Sequence, residues 1–310
     1  MVLYYHGFVM HPEVNYIGFL MLLYAGTTSK LNFNYYISKI TVTRLKQWSK
    51  SAGNLILYNN GTSETLRNKT VINLNNVRSV SVHVPKYLRP LSYEQFGQYL
   101  AGLIDGNGNF VTCAENQQLI ITFKKIDISL AYYIKKRIGY GSVKKIKSKD
   151  TILLIISKKE GLEKVIIWIN NKIRTKTKYD QIINNVLNHP NFFEFKEKIN
   201  LRINLEKNLK NHWLAGLSDC LGNFYVNPEN ELGNILYFQI NWDERNILLL
   251  IKEFLGGKVI YDPSLHIYTY ISNNNAKNII GYFDEYHLLS NNYITFLKWR
   301  KTFLRLNIFK

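Results

Sequence analysis

The chain has 310 residues, 46% of them hydrophobic and 20% charged, which is enough apolar material to bury one large core or two smaller ones and argues against disorder as the default. Its formal net charge of +18 is spread along the sequence and points to a polyanionic partner, nucleic acid ahead of an anionic membrane surface. Its two cysteines, Cys113 and Cys220, exclude a disulfide framework and a zinc ligand set.

In chain order, the first apolar run is Ile17-Gly-Phe-Leu-Met-Leu-Leu-Tyr-Ala25, far short of the roughly 20 residues that span a bilayer. No basic segment precedes it, so it reads as a buried segment or fusion remnant, neither a signal nor a transit peptide, and no membrane partner is expected. The stretches Gln47 to Asn54 and Gly61 to Arg67 are polar and weakly periodic, as linkers are. Residues 1–90 are accordingly an amino-terminal extension and linker.

A helix is predicted over Ser92 to Asp105, stopped by Gly106 and Gly108. Strands follow at Phe110 to Ala114 and Gln118 to Lys124. Leu130, Tyr133, Ile134 and Ile138 at helical spacing predict an amphipathic helix from Ile128 to Ile138, ended by Gly139. Val143 to Lys147 and Thr151 to Ser157 are the next strands, and Gly161 to Lys172 returns to helix. The same order then recurs: a helix around Leu214, strands at Asn223 to Val226 and Ile235 to Ile240, a helix from Glu244 to Leu255, strands at Lys258 to Tyr261 and Ile267 to Ile271, and a helix near Asn275 to Tyr286. Gly102 with Gly216, and Gly141 with Gly257, fall at nearly the same interval, which indicates an internal duplication. The units are placed at 91–200 and 205–310.

Strand alternation assigns one face of each sheet to the helices and the other to a partner. On that basis Thr122 and Lys124 face outward opposite Ile121 and Phe123, and Tyr237 and Gln239 do so in the second unit. Val111, Cys113, Lys144, Tyr225, Tyr268 and Tyr270 join them by parity. Gln reads adenine, Lys reaches guanine or phosphate, and Tyr bonds polar edges or stacks on unpaired bases. The basic runs Lys144 to Lys149 and Lys172 to Lys178 suit phosphate contacts at the rim.

The strongest signal is a nine-residue pattern that occurs twice, Leu100-Ala-Gly-Leu-Ile-Asp-Gly-Asn-Gly108 and Leu214-Ala-Gly-Leu-Ser-Asp-Cys-Leu-Gly222. It resembles the motif of the LAGLIDADG homing endonucleases and intron maturases, from Leu91 to Lys310. The resemblance implies an α+β fold of two pseudo-twofold-related αββαββα units, each with a curved antiparallel sheet, together forming a nucleic-acid-binding saddle within a monomer. Ala101, Gly102, Ala215 and Gly216 place small side chains where the two motif helices pack.

In the family the eighth motif position supplies a metal-holding carboxylate, because Mg²⁺ wants hard, preferably anionic oxygen ligands. Here that position holds Asn107 and Leu221, so the expected reading is a binding protein with degenerate cleavage, either a maturase or a decayed homing endonuclease. Mg²⁺ is the cofactor if activity remains, and no metal ligand is assigned. Asp105 and Asp219, two residues earlier and rotated about 200°, are expected to brace the helices instead. Lys298 resembles a basic auxiliary residue of the family, or else is a solvated lysine on a closing helix. The alternatives are an active site-specific double-strand DNA endonuclease and a non-enzymatic part of a ribonucleoprotein particle. The partner is then duplex DNA or intron RNA. A composition rich in Asn, Ile, Lys, Tyr and Phe looks like AT-rich organellar coding, and the resemblance to fungal mitochondrial intron-encoded proteins implies a location in the mitochondrial matrix.

Overall fold

The computed structural model describes residues 80–308, apart from 114–115, 147–149, 230–232 and 273–274. The expectations for the Ile17 to Ala25 run and for the linker stretches before residue 80 lie outside the described residues. Residues Arg78–Lys310 form one compact unit. No helix among the described residues is long and apolar enough to cross a membrane.

The first half runs α1 (Tyr93–Asn107), β1 (Gly108–Cys113), β2 (Asn116–Lys124), α2 (Ile128–Ile138), β3 (Ser142–Ile146), β4 (Thr151–Ile156), α3 (Lys159–Ile169), α4 (Lys176–Ile182) and α5 (Phe193–Lys198). The second half repeats the order as α6 (Trp213–Leu221), β5 (Gly222–Glu229), β6 (Gly233–Trp242), α7 (Arg245–Leu255), β7 (Lys258–Asp262), β8 (Ile267–Ser272), α8 (Ala276–Glu285) and α9 (Asn292–Ile308). Each half holds one antiparallel four-stranded sheet, ordered β1-β2-β4-β3 and β5-β6-β8-β7. The α+β duplication expected from the sequence is therefore the architecture.

Helix α1 begins with a capping box: the Gln95 amide donates to Ser92 Oγ at 3.0 Å, and the Gln95 side chain accepts from the Ser92 amide. It ends later than expected. Gly106 stays helical, and Gly108 closes the helix in extended geometry (φ −89°), already the first residue of β1. No left-handed cap forms, because the chain passes straight from helix to strand. Helix α2 matches its expected bounds and does end on a left-handed glycine, Gly139 (φ +86°).

The helices cover one face of each sheet. From α2, Leu130, Ala131, Ile134 and Ile138 bury against Leu119, Ile121, Ile152 and Leu154, and the second half repeats this with Ile247, Leu248 and Ile251. At the outer edge, Gln181 and a π-helical turn at Ile183–Leu187 close off β1: the Phe110 amide donates to Gln181 Oε1 at 3.2 Å, and Asn185 Nδ2 donates to the Phe110 carbonyl at 2.7 Å. Side-chain amides thus satisfy an edge strand that would otherwise offer free backbone groups.

Candidate nucleic-acid interface and motif-helix site

Helices α1 and α6 pack at the centre through the expected small residues. Ala101 and Ala215 are fully buried. A Cβ on Gly102 would lie 1.9 Å from the Trp213 carbonyl oxygen, and one on Gly216 would lie 2.0 Å from the Tyr99 carbonyl oxygen. The reciprocity is what a pseudo-twofold axis between the helices requires. Each glycine sits where the other helix's backbone passes, so neither position has room for a side chain.

The sixth-position carboxylates lock this pair, as expected. Asp105 accepts from the Arg174 amide (3.0 Å), the Thr175 amide (3.3 Å), Thr175 Oγ1 (2.7 Å) and Trp213 Nε1 (2.8 Å). Asp219 accepts from the Leu289 amide (2.7 Å), the Ser290 amide (3.2 Å), Ser290 Oγ (2.5 Å) and the Tyr99 hydroxyl (2.6 Å). Each aspartate therefore ties its own following segment to the aromatic residue preceding the other motif. Burial pushes both carboxyls up to about 6, against the opposing pull of these donors. It also drives the Tyr99 phenol far upward, reinforced by Asp219.

Position eight lies at the helix ends. Asn107 donates from Nδ2 to the Thr122 carbonyl at 3.3 Å, which leaves its amide oxygen as the atom that could face a cation. Leu221 packs, half-buried, against the apolar core. A cavity of about 460 Å³ opens at Asn107, lined among others by Asn109, Thr177, Lys178, Asp243 and Glu244. Lys178 donates to Asn109 Oδ1 at 3.0 Å, and burial lowers its pKa against the counter-pull of Asp105, Asp243 and Glu244. Glu244 accepts from Thr177 Oγ1 at 3.3 Å.

Sequence reasoning missed Asp243 and Glu244, which come from the turn after β6, and placed Lys178 of α4 only within a basic run at the rim. By sheet register the counterparts of Asp243 and Glu244 in the first half are Lys124 and Lys125. The register-equivalent places are thus acidic in one half and basic in the other. Among the described residues no group of three or more His, Cys, Asp or Glu side chains is placed to share a metal ion. Position eight itself supplies one amide oxygen at Asn107 and an aliphatic side chain at Leu221, and the Asp105 carboxylate is already taken by four donors.

The open sheet faces carry most of the expected contact residues. Val111, Cys113, Thr122, Lys124 and Lys144 lie on the face opposite the buried Phe110, Leu119, Ile121 and Phe123. Tyr225, Tyr237 and Gln239 lie on the equivalent face, with Tyr225 and Tyr237 stacked at 5.0 Å and the Tyr225 hydroxyl donating to Gln239 Oε1 at 3.2 Å. Two residues absent from the expectation complete this chain: Gln239 Nε2 and Thr269 Oγ1 both donate to Asn241 Oδ1. Extending the alternation of β6 by two residues would have found Asn241.

Tyr268 and Tyr270 correct the expectation, because they face the helices. Tyr270 is fully buried and donates to the Gly256 carbonyl at 2.9 Å, while Tyr268 is half-buried beside Tyr261. Gly257, at φ +98°, makes room for the Tyr270 ring: a Cβ there would be 3.2 Å from Tyr270 Cε2. The repeat held the missing signal. Ile121 pairs with Leu154 just as Ile240 pairs with Tyr270, so Tyr270 occupies the place of a plainly buried leucine.

Lys298 is exposed on α9, whose Phe296, Trp299 and Arg300 turn inward, which fits the solvated alternative, and it does not line the cavity at Asn107. One further expectation changes. In the 172–178 run, Lys172 pairs with Glu94 at 3.1 Å, and the buried Arg174 donates to the Glu206 and Asn208 carbonyls while lying over the Trp213 ring. Neither stands at the rim, since their charges are spent inside the fold. Cys113 and Cys220 are both free thiols.

Two four-stranded sheets joined by a glycine-mediated helix pair, with an open sheet face on each, define a duplicated α+β scaffold of the meganuclease type. The LAGLIDADG endonuclease family model matches residues 100–185 and 214–303, and the chain belongs to that family. It is 50% identical over 306 residues to the "Uncharacterized cox1 intron-2 37.2 kDa protein" of Schizosaccharomyces pombe, covering 94% of this chain and 92% of the relative. It is 26% identical over 292 residues to the "Intron-encoded DNA endonuclease aI3" of Saccharomyces cerevisiae, covering 75% and 69%. The fold is similar to that of the LAGLIDADG meganuclease I-AabMI bound to uncleaved DNA, with a TM-score of 0.54 at 17% identity over 68% of this chain and 92% of the other.

Proposed function

We propose that this chain is a mitochondrial intron-encoded protein that holds nucleic acid on its two open sheet faces with little or no cleavage, as a maturase or a decayed homing endonuclease. The observation that carries this reading is the pair Asn107 and Leu221, an amide and an aliphatic side chain where the chemistry needs anionic oxygen. The sheet faces support binding: Gln239, Asn241, Thr122 and Lys124 present donors and acceptors suited to base edges, and the tyrosines offer stacking surfaces. The family likeness and the intron-encoded relatives support an organellar gene and a site in the mitochondrial matrix.

A second reading is favoured by one observation. Asp243, Glu244 and Lys178 line the cavity at Asn107, whereas lysines take the register-equivalent acidic places in the first half. Residual hydrolysis would then fall on one strand, on the Asn107 side.

The test selects bound sequences from mixed DNA and RNA pools, then incubates the selected duplex in a supercoiled plasmid with Mg²⁺ or Mn²⁺. Retention without strand scission is the expected result, and nicking of one strand alone favours the second reading. Robust double-strand cutting by the unmodified protein overturns both. Restoring carboxylates with Asn107→Asp and Leu221→Asp is expected to raise Mg²⁺ affinity measured by calorimetry.

A further inference from the structure

Away from the open sheet faces, a cavity of about 500 Å³ lies between the segment leading into α1 and helix α2, lined by Arg89, Leu91, Tyr93, Tyr133, Lys136 and Arg137. Three cations share it. No ion pair involves any of them among the described residues, and the nearby Glu94 is engaged by Lys172 at 3.1 Å. Uncompensated like charge in one recess favours an anion there.

The rings are arranged with the cations. The Arg89 guanidinium lies 4.8 Å from the Tyr133 ring centroid, and that of Arg137 lies 4.7 Å from Phe96 and 5.9 Å from Tyr93. Tyr93 is 68% exposed yet held in place by stacking on Trp168 at 5.4 Å. Two buried polar atoms here, the Tyr133 hydroxyl and Arg137 Nε, have no hydrogen-bond partner among the described residues. Arg137 spends its other arm on the Leu91 and Ser92 carbonyls, which fixes its orientation.

Guanidinium groups to take a phosphate, an exposed ring to take a base, and unmet donors to take polar atoms together match an unpaired nucleotide. A bare phosphate would leave Tyr93 and Leu91 without a role. The position excludes the duplex on the sheet faces as the source. Helix α2 lies on the sheet side that buries Leu119, Ile121 and Leu154, opposite Thr122, Lys124 and Lys144.

We infer that this recess is a second nucleic-acid site, which takes single-stranded RNA or DNA by its phosphodiester and one base, independently of the sheet faces. The inference does not depend on whether the protein cleaves.

Fluorescence anisotropy of the full chain with labelled oligo(U) and oligo(dT) 12-mers tests it, with and without a saturating duplex. Arg89→Ala with Lys136→Ala is expected to weaken 12-mer binding about tenfold and to lower its salt slope by roughly 1.4, at unchanged duplex affinity. Lys144→Ala should do the reverse. Tyr93→Ala should weaken the 12-mer and Tyr93→Trp should keep it, which separates stacking from folding, and the tighter of the two 12-mers names the source. Binding of the Arg89→Ala, Lys136→Ala protein within twofold of the unmodified chain, or competitive displacement of the 12-mer by duplex, overturns the inference.

Discussion

Replacing Gly102 by alanine puts a methyl carbon 1.9 Å from the Trp213 carbonyl oxygen and 2.9 Å from the Leu217 amide nitrogen. Carbon and carbonyl oxygen approach to about 3.3 Å at closest, so the motif helices must part by roughly 1.4 Å. The obstacle is backbone, and no rotamer change relieves it. Overpacking of this kind costs about 3 kcal/mol, because a gap of that size forfeits much of the dispersion along the helix pair. Alanine returns about 1 kcal/mol through its better helix propensity, which leaves a net loss of about 2 kcal/mol. For a unit of this size that lowers the melting temperature by roughly 4–8 °C.

Gly281 in α8 is the internal control, since a Cβ there meets nothing within 4 Å among the described residues. Gly281→Ala should gain the propensity term alone, raising the melting temperature by about 2 °C. Gly102→Ala with Gly216→Ala should cost less than the sum of the single changes, because one separation of the helices relieves both clashes. Circular dichroism melts of the four variants measure all of this. Equal melting temperatures for Gly102→Ala and Gly281→Ala, or strictly additive losses, would refute the close helix approach.

The buried carboxyls make stability pH-dependent. Asp219 titrates near 6 when folded and near 3.8 when unfolded, so its contribution is complete below pH 4 and is lost as pH rises through 6, by roughly 3 kcal/mol. Urea denaturation should therefore show the cost of Asp219→Asn shrinking between pH 4 and pH 7; a cost that grows over that range contradicts the assignment. Tyr270→Phe removes a buried hydrogen bond and should lower stability by about 1 kcal/mol while leaving duplex affinity unchanged, whereas Gln239→Ala should weaken the selected duplex without a matching change in melting. Arg300, which is 1% exposed, makes a forked ion pair with Asp284 at 2.8–3.1 Å and holds the Ser81 and His83 carbonyls. Arg300→Ala should cost about 3 kcal/mol in chemical denaturation and open residues 80–90 to protease.

The duplicated fold was legible because three local signals agreed. Helical spacing placed α2 to the residue, alternating strands placed both sheets, and paired glycines exposed the repeat. Contact residues were legible where polar and apolar side chains alternate cleanly, as in Thr122 and Lys124 or Tyr237 and Gln239. They were misread in β8, where Tyr alternates with Ile and Thr and either face is chemically plausible for tyrosine. The Gly256 carbonyl and the space at Gly257 receive the buried ring, and they belong to a different strand end. Arg174 was misread for a related reason: a charge run looks free to meet phosphate until the carbonyls that engage it are brought in from residues 206 and 208.

Sequence alone determined the family scaffold and the chemical deficit at position eight, because both rest on residue identity at fixed spacing along one helix. Asn107 and Leu221 lack a carboxylate in any conformation. The tertiary structure decided which other groups surround that deficit. It brought Lys178, Asp243 and Glu244 beside Asn107, crossed Asp105 to Trp213 and Asp219 to Tyr99, and collected Arg89, Lys136 and Arg137 in one uncompensated recess. Those encounters join residues scores of positions apart, and only the packing of the helix pair and the sheets sets their distances.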